Sequence, residues 1–360
     1  MEHYYAMIVA GGGGTRMWPM SRKNMPKQLL PLIGDTSMFK MSVERLAPLF
    51  TPDRIYIVTG PDYVEMMRKD APEIPDQNFI VEPYGRDNLA ACGLGISVIS
   101  KRDPQATIAI LTADHHIGKK EVFRSVLESA HNIAQQDHIV TLGISPSYPA
   151  TGFGYIRQGQ TPQTINELTY YDAIRFTEKP DAVTAATFVT SGEYSWNSGM
   201  FIWKASKALA EFERQQPATY TLLQKIMSVV DTPEFQPTLE SIWAEMPKIS
   251  IDFAIMEGAE NMVIIPVDIG WSDVGSWASL FEVMALDEHG NAYRGNMDHN
   301  ITIDTQKSLI LSERMTVTIG VTNLVIVDTP DVLFICHRDR TQDVRDVVKN
   351  LQEMGLSHYL

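Results

Sequence analysis

The chain of 360 residues has only two cysteines, Cys92 and Cys336, widely separated. They offer no disulfide framework and no metal-ligand spacing. Unpaired thiols of this kind suit a reducing compartment, so a cytoplasmic location is expected. Long apolar runs are missing too. No stretch approaches the roughly 18 residues that a membrane span requires. The first residues carry no cationic segment ahead of their short apolar run, so no secretory leader is expected. Low-complexity tracts, lipidation motifs and long-period repeats are absent as well. Basic charge is in deficit: 30 Lys plus Arg against 44 Asp plus Glu give a net charge of −14. That balance excludes a general nucleic-acid binder and describes a chain that repels polyanions.

One local absence runs against this global excess of acid. Between Glu2 and Asp35 there is no carboxylate, yet Arg16, Arg22, Lys23 and Lys27 all fall there. The same stretch holds four consecutive glycines, Gly11 to Gly14. An acidic protein that binds an anion must concentrate positive charge somewhere, and this segment is the candidate.

What is present fits an ordinary globular protein, 44% hydrophobic and 21% charged, with length for about two domains. Apolar runs at 4–10, 55–59, 107–111 and 139–142 alternate with segments of helical spacing at 88–101 and 121–135. Such alternation predicts an α/β fold, a mostly parallel sheet covered on both faces, with ligands at the carboxyl edge of the strands. Further along, helical spacing covers 205–227, 251–257 and 275–284, and 261–267 reads as a strand. A polar break at 287–291 divides the chain into domains at 1–288 and 289–360. Beyond it come short strands at 301–304, 309–311, 317–319, 324–327 and 332–336, then a helix at 342–354, which together predict a small β domain.

The segment Ala10-Gly-Gly-Gly-Gly-Thr-Arg16 follows the first strand. Glycines let backbone N–H groups approach a phosphate without a Cβ in the way. The segment is not a Walker A loop, since no Gly-Lys-Ser/Thr follows. It is not a dinucleotide fingerprint either, since Arg16 stands where the third glycine should be. Alone, it reads equally as a tight strand-to-loop connection.

The residues that follow sharpen the reading. Gly11 to Gln28, with Arg16, Trp18-Pro19, Ser21-Arg22 and Pro26-Lys27-Gln28, resembles the signature of sugar-1-phosphate nucleotidyltransferases, in their mannose-1-phosphate guanylyltransferase branch. Other segments resemble that family in the same order: Glu82-Pro-Tyr-Gly-Arg86, Ala113-Asp-His115, Thr151-Gly-Phe-Gly-Tyr-Ile156, Phe176-Thr-Glu-Lys-Pro180 and Trp196-Asn-Ser-Gly-Met-Phe201. Ser250 to Glu257, Trp271 to Trp277, and the tail with Val327-Asp-Thr-Pro330 and Cys336-His-Arg-Asp339 complete the set, which spans nearly the whole chain. Two positions depart from the family pattern. Asp87-Asn-Leu-Ala90 replaces Asn-Thr-Ala-Pro, and Thr112 stands where a proline is usual. The resemblance implies a Rossmann-like, GT-A-like catalytic domain and a tail forming a short left-handed β-helix, with a homodimer as the expected assembly. No isomerase domain like that of the larger bifunctional members is expected.

The implied reaction joins GTP and mannose 1-phosphate to give GDP-mannose and pyrophosphate. A phosphate monoester has a second pKa near ~6 and is largely dianionic at neutral pH, so it attacks without a general base. The demand is electrostatic. The resemblance assigns Mg²⁺ to Asp114 and Asp273. It assigns the GTP phosphates to Arg16 and Lys27, and the sugar phosphate to Lys179. Ala10, Gly11, Gly12, Gly13, Gly14, Thr15, Glu82, Arg86 and Asn88 are the expected nucleotide contacts. Glu82 is the candidate guanine reader, since one carboxylate can pair with N1–H and N2–H₂ together. Gly152, Tyr155, Glu178, Lys179 and Asn197 are the expected sugar-phosphate contacts. Trp196, Phe201 and Trp203 read as core. Other roles stay open: Asp273 as a helix N-cap, Arg22 and Lys23 as solvated loop or electrostatic steering. So do two other functions, a sister enzyme with another sugar or base, and an inactive GDP-mannose-binding regulator.

Overall fold

The computed structural model describes residues 1–295 and 300–360. The chain forms two compact units, and neither is a single run of sequence. The first contains Met1–Gly11, Ser42–Ala113 and Ile117–Trp271; the second contains Gly12–Met41, Asp114–His116 and Ser272–Leu360.

The strands up to Trp271 are β1 (Tyr4–Ala10), β2 (Ile55–Thr59), β3 (Phe79–Val81), β4 (Thr107–Thr112), the two-residue β5 (His116–Ile117), β6 (Ile139–Ile144), β7 (Tyr155–Gln158), β8 (Gln163–Ile165), β9 (Leu168–Thr177), β10 (Tyr194–Lys204) and β11 (Met262–Pro266). All but β5 form a ten-stranded sheet in the order β3-β2-β1-β4-β10-β6-β11-β9-β7, with β8 on β9. β1 pairs in parallel with β2 and β4, and β6 with β11. β9 and β10 run against the rest, each pairing antiparallel with its neighbours.

The helices are α1 (Met38–Glu44), α2 (Val64–Asp70), α3 (Asp87–Arg102), α4 (Lys120–Ala134), α5 (Ala182–Ser191), α6 (Ala205–Gln215), α7 (Pro217–Val229), α8 (Phe235–Ile242) and the short α9 (Ile251–Ala254). Leu89 to Ile99 of α3 join Met7, Val58, Ile108 and Trp203 in one core, which α6 and α7 complete through Phe212 and Leu223. α4 covers the opposite side of β1, where Tyr4 donates its hydroxyl to the Leu127 carbonyl at 2.9 Å. The helical segment expected at 205–227 is two helices: Pro217 opens α7, because a proline has no N–H to continue α6 and is best placed at a first turn.

The long β10 carries Asn197, Ser198 and Gly199 in the middle of an otherwise apolar strand. Its pairing with β6 shifts register between Asn197 and Phe201, and Gly199 has φ 72°. A bulge of this kind re-aims side chains beside it. Trp196, Phe201 and Trp203 are buried, as expected of core residues.

In the second unit the tail is a β-helix-like stack. β12 (Trp271–Ser272) precedes it, and α10 (Trp277–Val283) follows. β13 (Ala292–Gly295), β15 (Leu309–Ser312) and β17 (Leu324–Asp328) stack in parallel, and β18 (Leu333–His337) closes antiparallel on β17. β14 (Asn300–Ile303) and β16 (Thr316–Ile319) form a second parallel pair, and α11 (Val344–Glu353) ends the unit. The core of this unit holds Leu309, Leu311, Val325, Val327, Phe334 and Val348, and with them Met17, Trp18, Leu30 and Leu32 from the amino-terminal segment. The glycine-rich signature therefore belongs structurally with the tail, at the far end of the sequence.

Candidate active site

In the second unit, Gly12 and Gly14 adopt φ 88° and 58°. A Cβ on Gly14 would lie 2.3 Å from the Lys27 Cβ, so the loop folds flat against Lys27 only because that residue is glycine. Ser21 Oγ donates to the Gly14 carbonyl at 2.8 Å, and Gln28 Nε2 to that of Gly12 at 3.3 Å. The space over Gly12 and Gly13 is open, as an anion cradle needs. Thr15 and Arg16 begin a single 3₁₀ turn, and the Arg16 guanidinium makes no hydrogen bond or ion pair among the described residues.

Lys27 is 4% exposed. Its ammonium donates to Asp114 Oδ2 at 2.8 Å and to the main-chain carbonyl of Asp273 at 2.6 Å. Burial alone would raise the Asp114 carboxyl, but Lys27 and His115 outweigh it and hold the group below the usual carboxylate range. Asp273 Oδ1 accepts from the Gly275 N–H at 3.1 Å. Asp273 does not cap the following helix; Ser276 does, in a capping box with Ser279. One ammonium thus touches the Asp114 carboxylate and the main chain of Asp273, the two aspartates expected to bind metal. Hard carboxylate oxygens completed by substrate phosphates suit a divalent cation such as Mg²⁺. Among the described residues no three His, Cys, Asp or Glu side chains converge, so protein oxygens at such a site would come from this pair.

Arg22 is neither solvated loop nor steering charge. Its guanidinium donates to the carbonyls of Pro19 at 2.6 Å and Tyr359 at 2.5 Å, and pairs with Asp331 at 2.9 Å. Trp18 Nε1 shares the Tyr359 carbonyl at 2.7 Å. The charge is consumed in clamping the signature loop to the chain terminus.

The first unit carries the other candidates, Ala10 and Gly11 included. Glu82 follows β3 and is 6% exposed. Its Oε2 is buried without a partner, and burial pushes its carboxyl up to about 7. A buried carboxyl oxygen left unpaired calls for a ligand donor. Arg86 donates to the Ala244 carbonyl at 2.8 Å and lies over the Tyr84 ring, while its Nε is buried with no partner among the described residues; Trp243 Nε1 donates to the Tyr84 carbonyl at 2.6 Å. Asn88, in the first turn of α3, accepts from the Ile251 N–H at 2.6 Å and reaches Asp252 Oδ2 at 3.5 Å.

After β9, Lys179 sits at φ 45° and pairs with Glu178 Oε1 at 2.8 Å. Glu178 Oε2 is buried without a partner, and the Glu178 N–H donates to Glu257 Oε1 at 2.9 Å. Burial, with Asp252 and Glu257 adding to it, raises the Glu178 carboxyl. A Cβ on Gly154 would meet Glu178 Oε2 at 2.4 Å, so the main chain there closes directly on that carboxylate. Gly152 faces open space. Asn197 donates to Asp252 Oδ1 at 2.8 Å. Tyr155, expected as a sugar-phosphate contact, is instead fully buried against Phe188, and its hydroxyl donates to the Ala150 carbonyl at 2.9 Å.

Sequence reasoning assigns no role to Asp252 or Glu257. A signal exists, since both lie in the Ser250 to Glu257 segment that resembles the family. What the sequence does not supply is the pairing of Asp252 with residues 55 and 164 positions away.

Comparison with known proteins finds two family matches, one after the other along the chain. Residues 5–290 match the nucleotidyl transferase family, and residues 298–351 match the mannose-phosphate isomerase/GMP-like β-helix domain. The mannose-1-phosphate guanylyltransferase of Escherichia coli K12 is 35% identical over 98% of this chain and 74% of its own length. That of Klebsiella pneumoniae is 36% identical over 98% and 75%. A crystal structure from Thermus thermophilus, described as a mannose-1-phosphate geranyltransferase, superposes with a TM-score of 0.87 at 32% identity, covering 97% of this chain and 99% of that one.

Proposed function

We propose that this chain, which belongs to the mannose-1-phosphate guanylyltransferase family of nucleotidyl transferases, transfers GMP from GTP to α-D-mannose 1-phosphate, giving GDP-mannose and pyrophosphate. A phosphate oxygen of the sugar forms a bond to the α-phosphorus of GTP. The bond from that phosphorus to the oxygen bridging the β-phosphate breaks, and pyrophosphate leaves with the electron pair.

The observation that carries this reading is the Lys27 ammonium shared by Asp114 and Asp273 beneath an open glycine loop. Lys27 and Arg16 grip the triphosphate, with the loop from Ala10 to Thr15 supplying N–H donors. Divalent metal is general in the family; Asp114 and Asp273 would hold Mg²⁺, which when bound offsets phosphate charge. Glu82 accepts from guanine N1–H and N2–H₂. Glu178 and Asn197 take sugar hydroxyls, Gly152 allows close approach, and Lys179 binds the sugar phosphate. Arg86, Asn88 and Tyr155 support these groups through the contacts described above.

Residues 1–288 serve as the catalytic domain and 289–360 as the appended β-helix. A homodimer is supported by an exposed apolar ladder on that β-helix, where Ile301 pairs with Val317 and Ile303 with Ile319. No helix among the described residues is long and apolar enough to cross a membrane. Both cysteines are free, which supports a cytoplasmic setting, and the acidic charge argues against nucleic-acid partners.

The test is pyrophosphate release across a matrix of nucleoside triphosphates and sugar 1-phosphates with Mg²⁺. Release is expected with GTP plus mannose 1-phosphate, and its absence there would sink the reading. Asp273→Asn should reduce turnover by about 100-fold or more with the fold intact; near-normal turnover would remove Asp273 from the metal site.

A further inference from the structure

One buried carboxylate in the first unit ties together side chains drawn from three separate segments. Asp252 is 8% exposed and sits on α9, whose cap is Ser250. Its Oδ1 accepts from Asn197 Nδ2 at 2.8 Å, and its Oδ2 lies 3.5 Å from Asn88 Nδ2. Each of these amides is pinned at its other end by a main-chain donor. Asn197 Oδ1 accepts from the Gly199 N–H at 3.0 Å, and Asn88 Oδ1 from the Ile251 N–H at 2.6 Å. An asparagine amide has two orientations differing by a half turn. Here both are decided, because a carboxylate can only accept and a main-chain N–H can only donate. Each amide then keeps one N–H for another partner; on Asn197 the Oδ1 also lies 3.5 Å from the Thr141 hydroxyl.

The Asn197 amide needs this support more than most. It lies at the edge of the register shift of β10, the last position paired with β6 before the pairing resumes at Phe201. Lys179, the cation assigned to the sugar phosphate, is the positive charge acting on Asp252, and Asp252 in turn acts on Glu178. The carboxylate therefore contacts Asn197 and lies within electrostatic reach of Glu178 and Lys179, the groups assigned to the sugar phosphate, while being nearly buried itself.

We infer that Asp252 is a positioning residue for the sugar phosphate, fixing the Asn197 amide in the one orientation that serves the substrate and linking it through Asn88 to the start of α3. The inference rests on the guanylyltransferase reading and deepens it. Asp252 touches no reacting atom; it acts through Asn197.

Steady-state kinetics with each substrate varied against saturating co-substrate tests it. Asp252→Leu keeps the approximate size but removes both acceptor oxygens, so the Asn197 amide loses the partner that orients it. The expected result is a rise of about tenfold or more in KM for mannose 1-phosphate, with KM for GTP changed less than about twofold. The preference for mannose 1-phosphate over glucose 1-phosphate should fall in the same variant. A purely structural role would lower the thermal midpoint and leave the KM values and the sugar preference alone. Such a result in a folded variant overturns the inference. If Asp252→Leu does not fold, Asp252→Glu, which keeps the charge but displaces it by one methylene, is judged by the same split. Wild-type protein that releases no pyrophosphate refutes the parent reading instead, so the two failures are separable.

Discussion

Glu82 changes charge near neutral pH, and that has consequences for both stability and recognition. Its carboxyl rises from an ordinary 4.5 to about 7 in the folded chain. The folded state therefore holds this proton more tightly than the unfolded one. The stability Glu82 contributes is fully present below about 4.5 and is lost as pH rises through about 7, by up to about 3 kcal/mol. Pairing with guanine needs the ionised form, so KM for GTP should fall as pH rises through the same range. Glu82→Gln should raise stability at pH ~8 relative to wild type, weaken the preference for GTP and flatten the pH dependence of its KM. Denaturant melts and kinetics at several pH values check this; unchanged selectivity among nucleotides would show that another group reads the base. The sequence offers Glu82 as a candidate, because guanine's paired donors call for a carboxylate and Glu82 opens a segment that resembles the family. The isolation of its Oε2 was not legible there, since isolation inside a fold is a property of the surroundings. Arg22 shows the converse: its charge marked it as a possible anion contact, and only the fold reveals that Tyr359 and Asp331 consume it.

At the scale of elements, the signature loop depends on one backbone contact. Gly14 is left-handed, and Lys27 occupies the place its Cβ would take. Gly14→Ala must push the two segments apart. The expected cost is about 2 kcal/mol in stability, with a disproportionate loss of turnover because Lys27 moves with the loop. An alanine variant with normal turnover would mean that the loop does not set the position of Lys27. Strands with unbroken apolar runs, such as β1 and β2, were readable directly from the sequence. β9 and β10 were not. β9 is exposed along much of its length, so its alternation is diluted, and β10 carries a polar bulge in its centre. The polar residues that hid β10 from its pattern include Asn197, which is assigned to the sugar.

At the scale of the whole chain, the sequential cut near residue 288 and the two compact units follow different courses. Family models divide near 290, as the polar break does, because that is where one sequence motif ends and another begins. Packing divides elsewhere, because Met17, Trp18, Leu30 and Leu32 bury their side chains with the tail. Phe334 lies on the tail and meets the edge of Trp18 at 6.0 Å. Phe334→Ala should cost about 3–5 kcal/mol and should lower turnover, though Phe334 bears no catalytic group. Urea unfolding paired with an assay checks it; lost stability with unchanged turnover in the native protein would show that the tail does not shape the loop.

The bond from Trp18 to the Tyr359 carbonyl joins positions 341 residues apart. During synthesis the signature loop leaves the ribosome long before the β-helix segments that pack it. A nascent chain released as far as Trp271 would carry Asp114, the assigned guanine and sugar contacts and every strand of the large sheet, yet its phosphate loop would have no core to lie on. The loop would gain its core only after the β-helix strands and α11 had emerged, so a segment made early waits on ones made much later.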